Sequence, residues 1–170
     1  NGVSTFEFPH LLKLITENQF DTIYHEHFSY LSLIALETIF SKNGLQIFDV
    51  EECSTHGGSL RLFTQRSDAL VHAVTDRVSE MHKREMDAGI NKSEFYKGLQ
   101  KKVDLVKYDL LNFLIKAKED GKKVVAYGAA AKGNTLLNYS GVRPDLVEYV
   151  VDRNPAKQDK YMPGSRIKIK

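Results

Sequence analysis

Hydrophobic positions along the 170-residue chain follow two regimes. The first runs to Ser67. Residues 3–8 are β-rich and close at Pro9, which predicts a strand. Pro9 can open a helix, and Leu11, Leu12, Leu14 and Ile15 give it a short apolar face that ends near Asn18. Residues 21–30 predict loop and short extended structure. Ser32 is a good N-cap before Leu33, Leu36, Ile39 and Phe40, which recur at helical spacing. Asn43-Gly44 stops that helix. Residues 45–50 and 60–64 predict the two strands of a hairpin. The order strand, helix, polar loop, helix, strand, strand suits the end of an α/β sheet that closes in an antiparallel pair.

The second regime begins at Asp68. Over 69–88, Leu70, Val74, Val78 and Met81 recur at i, i+4, i+8 and i+11, which predicts a long amphipathic helix, and Gly89 breaks it. Ser93 predicts the cap of a longer helix with Phe95, Leu99, Val103, Val106, Leu110, Leu111, Leu114 and Ala117 on its inner stripe, ended by Gly121. Both helices read as linker and packing scaffold. Residues 123–127 then predict a strand, 128–134 a glycine-rich turn, 135–139 a helix and 146–151 a second strand. Residues 165–170 are again strand-like. The fold class expected is α/β, with a βαβ unit following long helices.

Composition narrows the function classes. Apolar residues make up 42% and charged residues 27% of the chain, ordinary for a globular protein. The net charge of +2 gives no footprint for nucleic acid or an anionic membrane. No apolar run approaches the ~20 residues of a membrane helix, and no signal peptide is visible. Cys53 is the only cysteine, which excludes an intramolecular disulfide and a cysteine-based zinc site and suits a reducing cytoplasm. The chain begins at Asn1 without Met and stops on a strand-like segment, so it is expected to be a piece of a longer protein.

Candidate chemistry concentrates at Tyr24-His25-Glu26-His27, between apolar residues 20–23 and 28–36. Titratable groups are costly to bury without partners. A histidine is the natural general base at neutral pH, Glu26 could orient or charge-stabilise an imidazole, and Tyr24 could donate to a developing oxyanion. In extended structure Tyr24 and Glu26 would share one face, and His25 and His27 the other. A turn would break that rule. A metal reading uses His25, His27, His56 and Glu26. His56-Gly57-Gly58-Ser59 permits a tight bend and close approach of a ligand. In the βαβ unit, the turn from Gly128 to Asn134 offers small residues, free N–H groups at a helix start and the cation Lys132, which suits a phosphate. Asp152, at the end of the second strand, could accept a ribose hydroxyl. The full Gly-x-Gly-x-x-Gly pattern is absent, since only Gly128 and Gly133 are in place, and there is no P-loop motif.

Longer stretches carry a resemblance. Residues 20–32 (FDTIYHEHFSYLS), 55–61 (THGGSLR), 127–139 (YGAAAKGNTLLNY), 151–157 (VDRNPAK) and 162–164 (MPG) resemble, in order, the S-adenosylmethionine-dependent C-methyltransferases of nucleotide-linked deoxysugars, such as sugar 3-C-methyltransferases. Members of that family have an N-terminal cysteine-rich zinc module, a central methyltransferase domain and a C-terminal Rossmann-like domain. The resemblance implies that residues 1–67 are the end of the methyltransferase domain and its sheet, and residues 68–170 the C-terminal Rossmann-like domain. It implies a nucleoside-diphosphate 4-keto-deoxysugar as substrate and S-adenosylmethionine as cofactor. His27 would remove the C3 proton and the enolate carbon would attack the sulfonium methyl group. Tyr24 and Glu26 would orient or stabilise the sugar, with His25 in support. The substrate-binding set it implies includes His25, His56, Gly57, Gly58, Tyr127, Gly128, Ala129, Lys132, Asn134, Asp152 and Arg153. The cysteine cluster and the cofactor loop with its following acidic residue are absent, so most of the cofactor pocket is expected outside this chain, which would be inactive alone. Two rivals stand beside this reading: a non-catalytic nucleotide-binding or regulatory domain, and a metal-dependent enzyme built on the histidines.

Overall fold

The computed structural model describes residues 2–170, with the side chain of His56 outside the described residues. The chain packs as two compact units. One comprises Asn1–Gln19 and Ser29–Leu99, the other Phe20–Phe28 and Gln100–Lys170. Each is a mixture of helix and strand, so the protein is α/β. No helix among the described residues is long and apolar enough to cross a membrane.

The first unit is built on an antiparallel sheet of β1 (Ser4–Pro9), β2 (Leu45–Cys53) and β3 (Ser59–Arg66), in the order β1-β3-β2. Strand β3 is central, and its alternation is that of a sheet with one covered face: Leu60, Leu62 and Thr64 are buried, while Arg61 and Phe63 are only partly so. Helix α1 (Leu11–Thr16) follows β1 directly. Helices α2 (Leu33–Lys42) and α3 (Asp76–Ala88) pack on β2. Leu33, Leu36 and Phe40 from α2 and Val78 and Met81 from α3 join Ile47, Val50, Leu60 and Leu62 in one apolar core. Ser32 caps α2 as expected, its hydroxyl accepting from the Ala35 N–H at 3.2 Å.

The two long helices start later than the periodic reading predicts. Helix α3 begins at Asp76, not near Ala69, and Leu70 and Val74 are 64% and 49% exposed. The preceding segment is tied to β2 and β3 instead. Thr75 donates its N–H to the Phe48 carbonyl at 2.9 Å, His72 stacks on Phe48, and Gln65 holds the His72 backbone. Phe48 lies at a bulge between Ile47 and Asp49, which frees its carbonyl for this bond. The second helix, α4 (Leu99–Glu119), starts six residues after the expected cap at Ser93, because Ser93–Tyr96 is a separate 3-10 turn and Gly98 takes φ +86°.

The second unit holds most of α4, then β4 (Ala126–Tyr127), α5 (Ala131–Ser140), β5 (Tyr149–Val151) and β6 (Lys168–Ile169). The strands form a parallel sheet in the order β4-β5-β6. The strand–turn–helix–strand order from β4 to β5 is the one expected, with shorter strands and with α5 starting at Ala131, inside the expected turn 128–134, so that Lys132 and Asn134 lie on the helix. Leu114, Val142, Val147, Val150, Met162, Ile167 and Ile169 make its core.

In the first unit one charge is fully enclosed. Glu85 of α3 has no exposed surface and His10, at the end of β1, has 1%. The Glu85 carboxylate bonds His10 Nε2 at 2.8 Å and accepts from the N–H groups of Leu33 at 2.8 Å and Ile34 at 3.0 Å. It therefore takes up two of the N–H groups that the start of α2 leaves without helical partners. Burial pushes this carboxyl up, but the bonds from His10, Ile34 and Leu33 outweigh it and hold the group below its ordinary value of 4.5. A carboxyl lowered in the folded state stabilises fully above its unfolded value, and that contribution is lost as pH falls through the folded value. Glu85→Gln should therefore cost about 3–5 kcal/mol at pH 7, read as a shifted urea midpoint. The gap between variant and parent should narrow as pH falls below 4.5. A gap that stays constant with pH would show that the Glu85 charge contributes nothing.

Candidate functional site

Residues 24–27 form a turn, closed by the His27 N–H donating to the Tyr24 carbonyl at 3.0 Å. The extended alternative is excluded with its pairing of faces. A turn brings its first and fourth residues together, so Tyr24 meets His27 rather than Glu26. The rings lie 4.2 Å apart between centroids, tilted by 34°, and the Tyr24 hydroxyl lies 3.1 Å from His27 Nε2. His25 and Glu26, at the tip, are exposed.

The other imidazole nitrogen fixes the tautomer. His27 Nδ1 lies 2.8 Å from the carbonyl oxygen of Thr22. A carbonyl can only accept, so Nδ1 carries a proton. In the neutral ring this leaves the lone pair on Nε2, where the Tyr24 hydroxyl can donate to it. Thr22 ends the 3-10 turn Phe20–Thr22 and is buried, so this acceptor is set in a packed element.

The same unit contains the glycine-rich turn. Gly128 has φ +91°, a conformation other residues adopt only with strain, and donates its N–H to the Val151 carbonyl at 2.7 Å. Helix α5 starts three residues later, with Lys132 half-buried in its first turn. The 3-10 turn packs on α5: Phe20 lies 5.2 Å from Tyr139, and the Thr135 hydroxyl reaches the Ile23 carbonyl at 3.5 Å. The segment carrying Tyr24 and His27 is thus docked on the helix that the glycine turn opens. Asn134, on that helix, has a buried side-chain oxygen without a hydrogen-bond partner among the described residues.

Asp152 differs from a free ribose acceptor. One carboxylate oxygen accepts from the Ala129 N–H at 2.7 Å and the other from Asn154 N–H at 2.8 Å. Lys157 bonds the Ala129 carbonyl at 2.7 Å and lies 3.4 Å from the carboxylate. Backbone donation from Asn154 and Ala129, with Lys157 behind, holds this carboxyl below the usual range. The N–H groups of both Gly128 and Ala129 are therefore occupied by the chain itself. Arg153 and Tyr127 are exposed, Tyr127 at 75%.

His56, Gly57 and Gly58 belong to the first unit, in the link from β2 to β3. The side chain of His56 lies outside the described residues. Gly57 and Gly58 take φ +92° and +117°, the bend expected of the pair. Gln19 donates to the Gly57 carbonyl at 2.7 Å. Thr55, Ser59 and Arg61 all donate to Glu7, and these bonds lower its carboxyl to about 2. A concavity of about 530 Å³ in the same unit is lined by Glu51, Glu52, Arg77 and Arg84, whose charges pair among themselves and with Asp49. No three His, Cys, Asp or Glu side chains among the described residues converge on a metal-binding geometry.

Thr22 has a place in this site that sequence reasoning did not assign, because it acts through its carbonyl and not its side chain. Comparison with known proteins identifies the chain's relatives. The model of the family described as the C-methyltransferase C-terminal domain matches residues 54–170. The C-methyltransferase NovU of Streptomyces niveus is 38% identical over 169 residues, which are 99% of this chain and 40% of that protein. The chain thus spans about two fifths of the length of this curated relative. With the match covering most of its residues, the chain belongs to the C-methyltransferase C-terminal domain family.

Proposed function

We propose that this chain is the acid–base and substrate-binding portion of a C-methyltransferase that methylates C3 of a nucleoside-diphosphate 4-keto-deoxysugar. The observation that carries the reading is the placement of the His27 imidazole, with Nδ1 on the Thr22 carbonyl and Nε2 toward the Tyr24 hydroxyl. A proton alpha to a ketone needs a base of near-neutral pKa and a donor for the enolate oxygen. His27 Nε2 takes the C3 proton. The electron pair moves into the enolate, whose oxygen accepts from Tyr24 once substrate has displaced that hydroxyl from Nε2. Glu26 and His25, exposed beside them, orient the sugar. Family membership and the likeness to a C-methyltransferase support the reaction class.

The methyl donor in this proposal is S-adenosylmethionine, which supplies an electrophilic methyl group when bound. The described residues do not fit it well: Asp152, the acidic residue after β5, is already bonded to the Ala129 and Asn154 N–H groups and is not free to take its ribose. We assign that turn to the nucleotide diphosphate instead, with Lys132 as its cation, Asn134 as a polar contact and Tyr127, Gly128 and Ala129 as the surface beneath. Asp152 shapes the turn, and Arg153 is its exposed cation. His56, Gly57 and Gly58 are assigned to substrate contact. Residues 1–67 are taken as the end of the methyltransferase domain and 68–170 as its Rossmann-like C-terminal domain, in a cytoplasmic enzyme without nucleic-acid or membrane partners.

In the full-length enzyme, His27→Asn should lower kcat roughly a hundred- to ten-thousand-fold with KM little changed. Near-normal turnover in a steady-state assay would remove His27 from the role of base. Lys132→Ala should weaken binding of thymidine diphosphate about tenfold or more by calorimetry, the scale of one lost charge-assisted hydrogen bond. Unchanged affinity would move the diphosphate elsewhere.

A further inference from the structure

The His27 tautomer depends on where the Thr22 carbonyl lies, so whatever places that carbonyl places the base. We propose that Tyr139 is a positioning residue for His27, acting through Phe20 and the 3-10 turn, with Asp104 and Gln100 of α4 holding Tyr139. The inference rests on His27 as base for its catalytic consequence, though not for its structural one.

The path is continuous within the second unit. The Tyr139 hydroxyl donates to Asp104 at 2.6 Å and accepts from Gln100 at 2.6 Å. Gln100 also donates to Asp104 at 3.0 Å. Donor and acceptor capacity of the phenol are both used, which leaves its ring one orientation. That ring meets the buried Phe20 ring at 5.2 Å and 59°. Phe20 opens the 3-10 turn, and its carbonyl accepts from the Ile23 N–H at 3.0 Å. Thr22 ends the turn and presents its carbonyl to Nδ1 at 2.8 Å. A single 3-10 turn is too short to absorb a displaced anchor without moving its last carbonyl. The Thr135 hydroxyl, at 3.5 Å from the Ile23 carbonyl, is a weaker second tie from the same helix. An imidazole that loses its Nδ1 acceptor is free to exchange tautomers, which removes the lone pair from Nε2 in part of the population.

A residue that merely fills space changes stability and leaves the tautomer alone. The test reads the tautomer directly, by nitrogen-15 spectra of histidine-labelled full-length protein without substrate, with the His27 signals identified by their loss in His27→Asn. The parent should show His27 neutral with Nδ1 protonated. Tyr139→Leu and Asp104→Leu should both give mixed tautomers and a kcat lowered about ten- to a hundredfold with KM nearly unchanged, the scale of a misplaced catalytic group. Asp104→Asn keeps an acceptor for the phenol and should restore the parent spectrum and rate. A folded Tyr139→Leu or Asp104→Leu protein with an unaltered His27 spectrum overturns the proposal. Should Tyr139→Leu fail to fold, Asp104→Leu, changed at a half-exposed position, carries the same decision. Turnover by His27→Asn would overturn only the base assignment, since the spectrum is read on resting protein.

Discussion

A carboxylate shut away from water must be answered by donors, and Glu85 organises the first unit around that requirement. Its carboxylate makes three bonds, to His10 after β1 and to two backbone N–H groups at the start of α2, while its own backbone belongs to α3. No other rotation of α3 presents the charge to those three donors. The carboxylate therefore sets where α2 begins and which stripe of α3 faces the core. Burial of Tyr96, with the Glu85 charge added to it, raises the phenol of that residue, so the charge is felt beyond its direct partners. The apolar core supplies most of the stabilisation of such a unit, but an apolar core alone tolerates rolled helices. The enclosed ion does not.

The second unit uses a carboxylate in the same way under looser conditions. Asp152 ties the Ala129 and Asn154 N–H groups, but its side chain keeps 14% of its surface exposed where Glu85 keeps none. A carboxylate that water still reaches is less costly to rearrange than one fully enclosed. The imidazole of His27 stands between these extremes. Its Nδ1 is committed to the carbonyl of a buried residue, and its Nε2 to a half-buried hydroxyl.

Features written in adjacent residues were legible in the sequence. Ser32 as a helix cap, Gly89 and Gly121 as helix ends, the β2–β3 hairpin and the β4–α5–β5 order all follow from short-range chemistry. The late start of α3 was not legible, because it depends on a bulge at Phe48 that frees a carbonyl for Thr75, 27 positions away by number (75 − 48). Glu85 was illegible for a related reason. It continues the buried stripe of Val78 and Met81 at helical spacing, yet a charged residue there reads as the solvent face. In the candidate site, the residue types at 24–27 raised acid–base chemistry as an expectation and left two geometries open, and only a turn pairs Tyr24 with His27. The Thr22 carbonyl carried no signal at all, since every residue has one.

The second unit is discontinuous in sequence, and this affects how the protein can be made. Residues 20–28 pack with 100–170, and Ile23 and Thr135 touch across 112 positions. Such a contact closes a long loop, and its entropy must be met before the contact returns anything. The turn that holds His27 therefore completes after the local elements have formed, once most of the chain has been synthesised. A contiguous excision of the C-terminal half would preserve the glycine turn and leave α5 without the segment that covers it, baring Tyr139. A soluble fragment for binding studies would have to carry residues 20–28 back by a linker or a rearranged chain order.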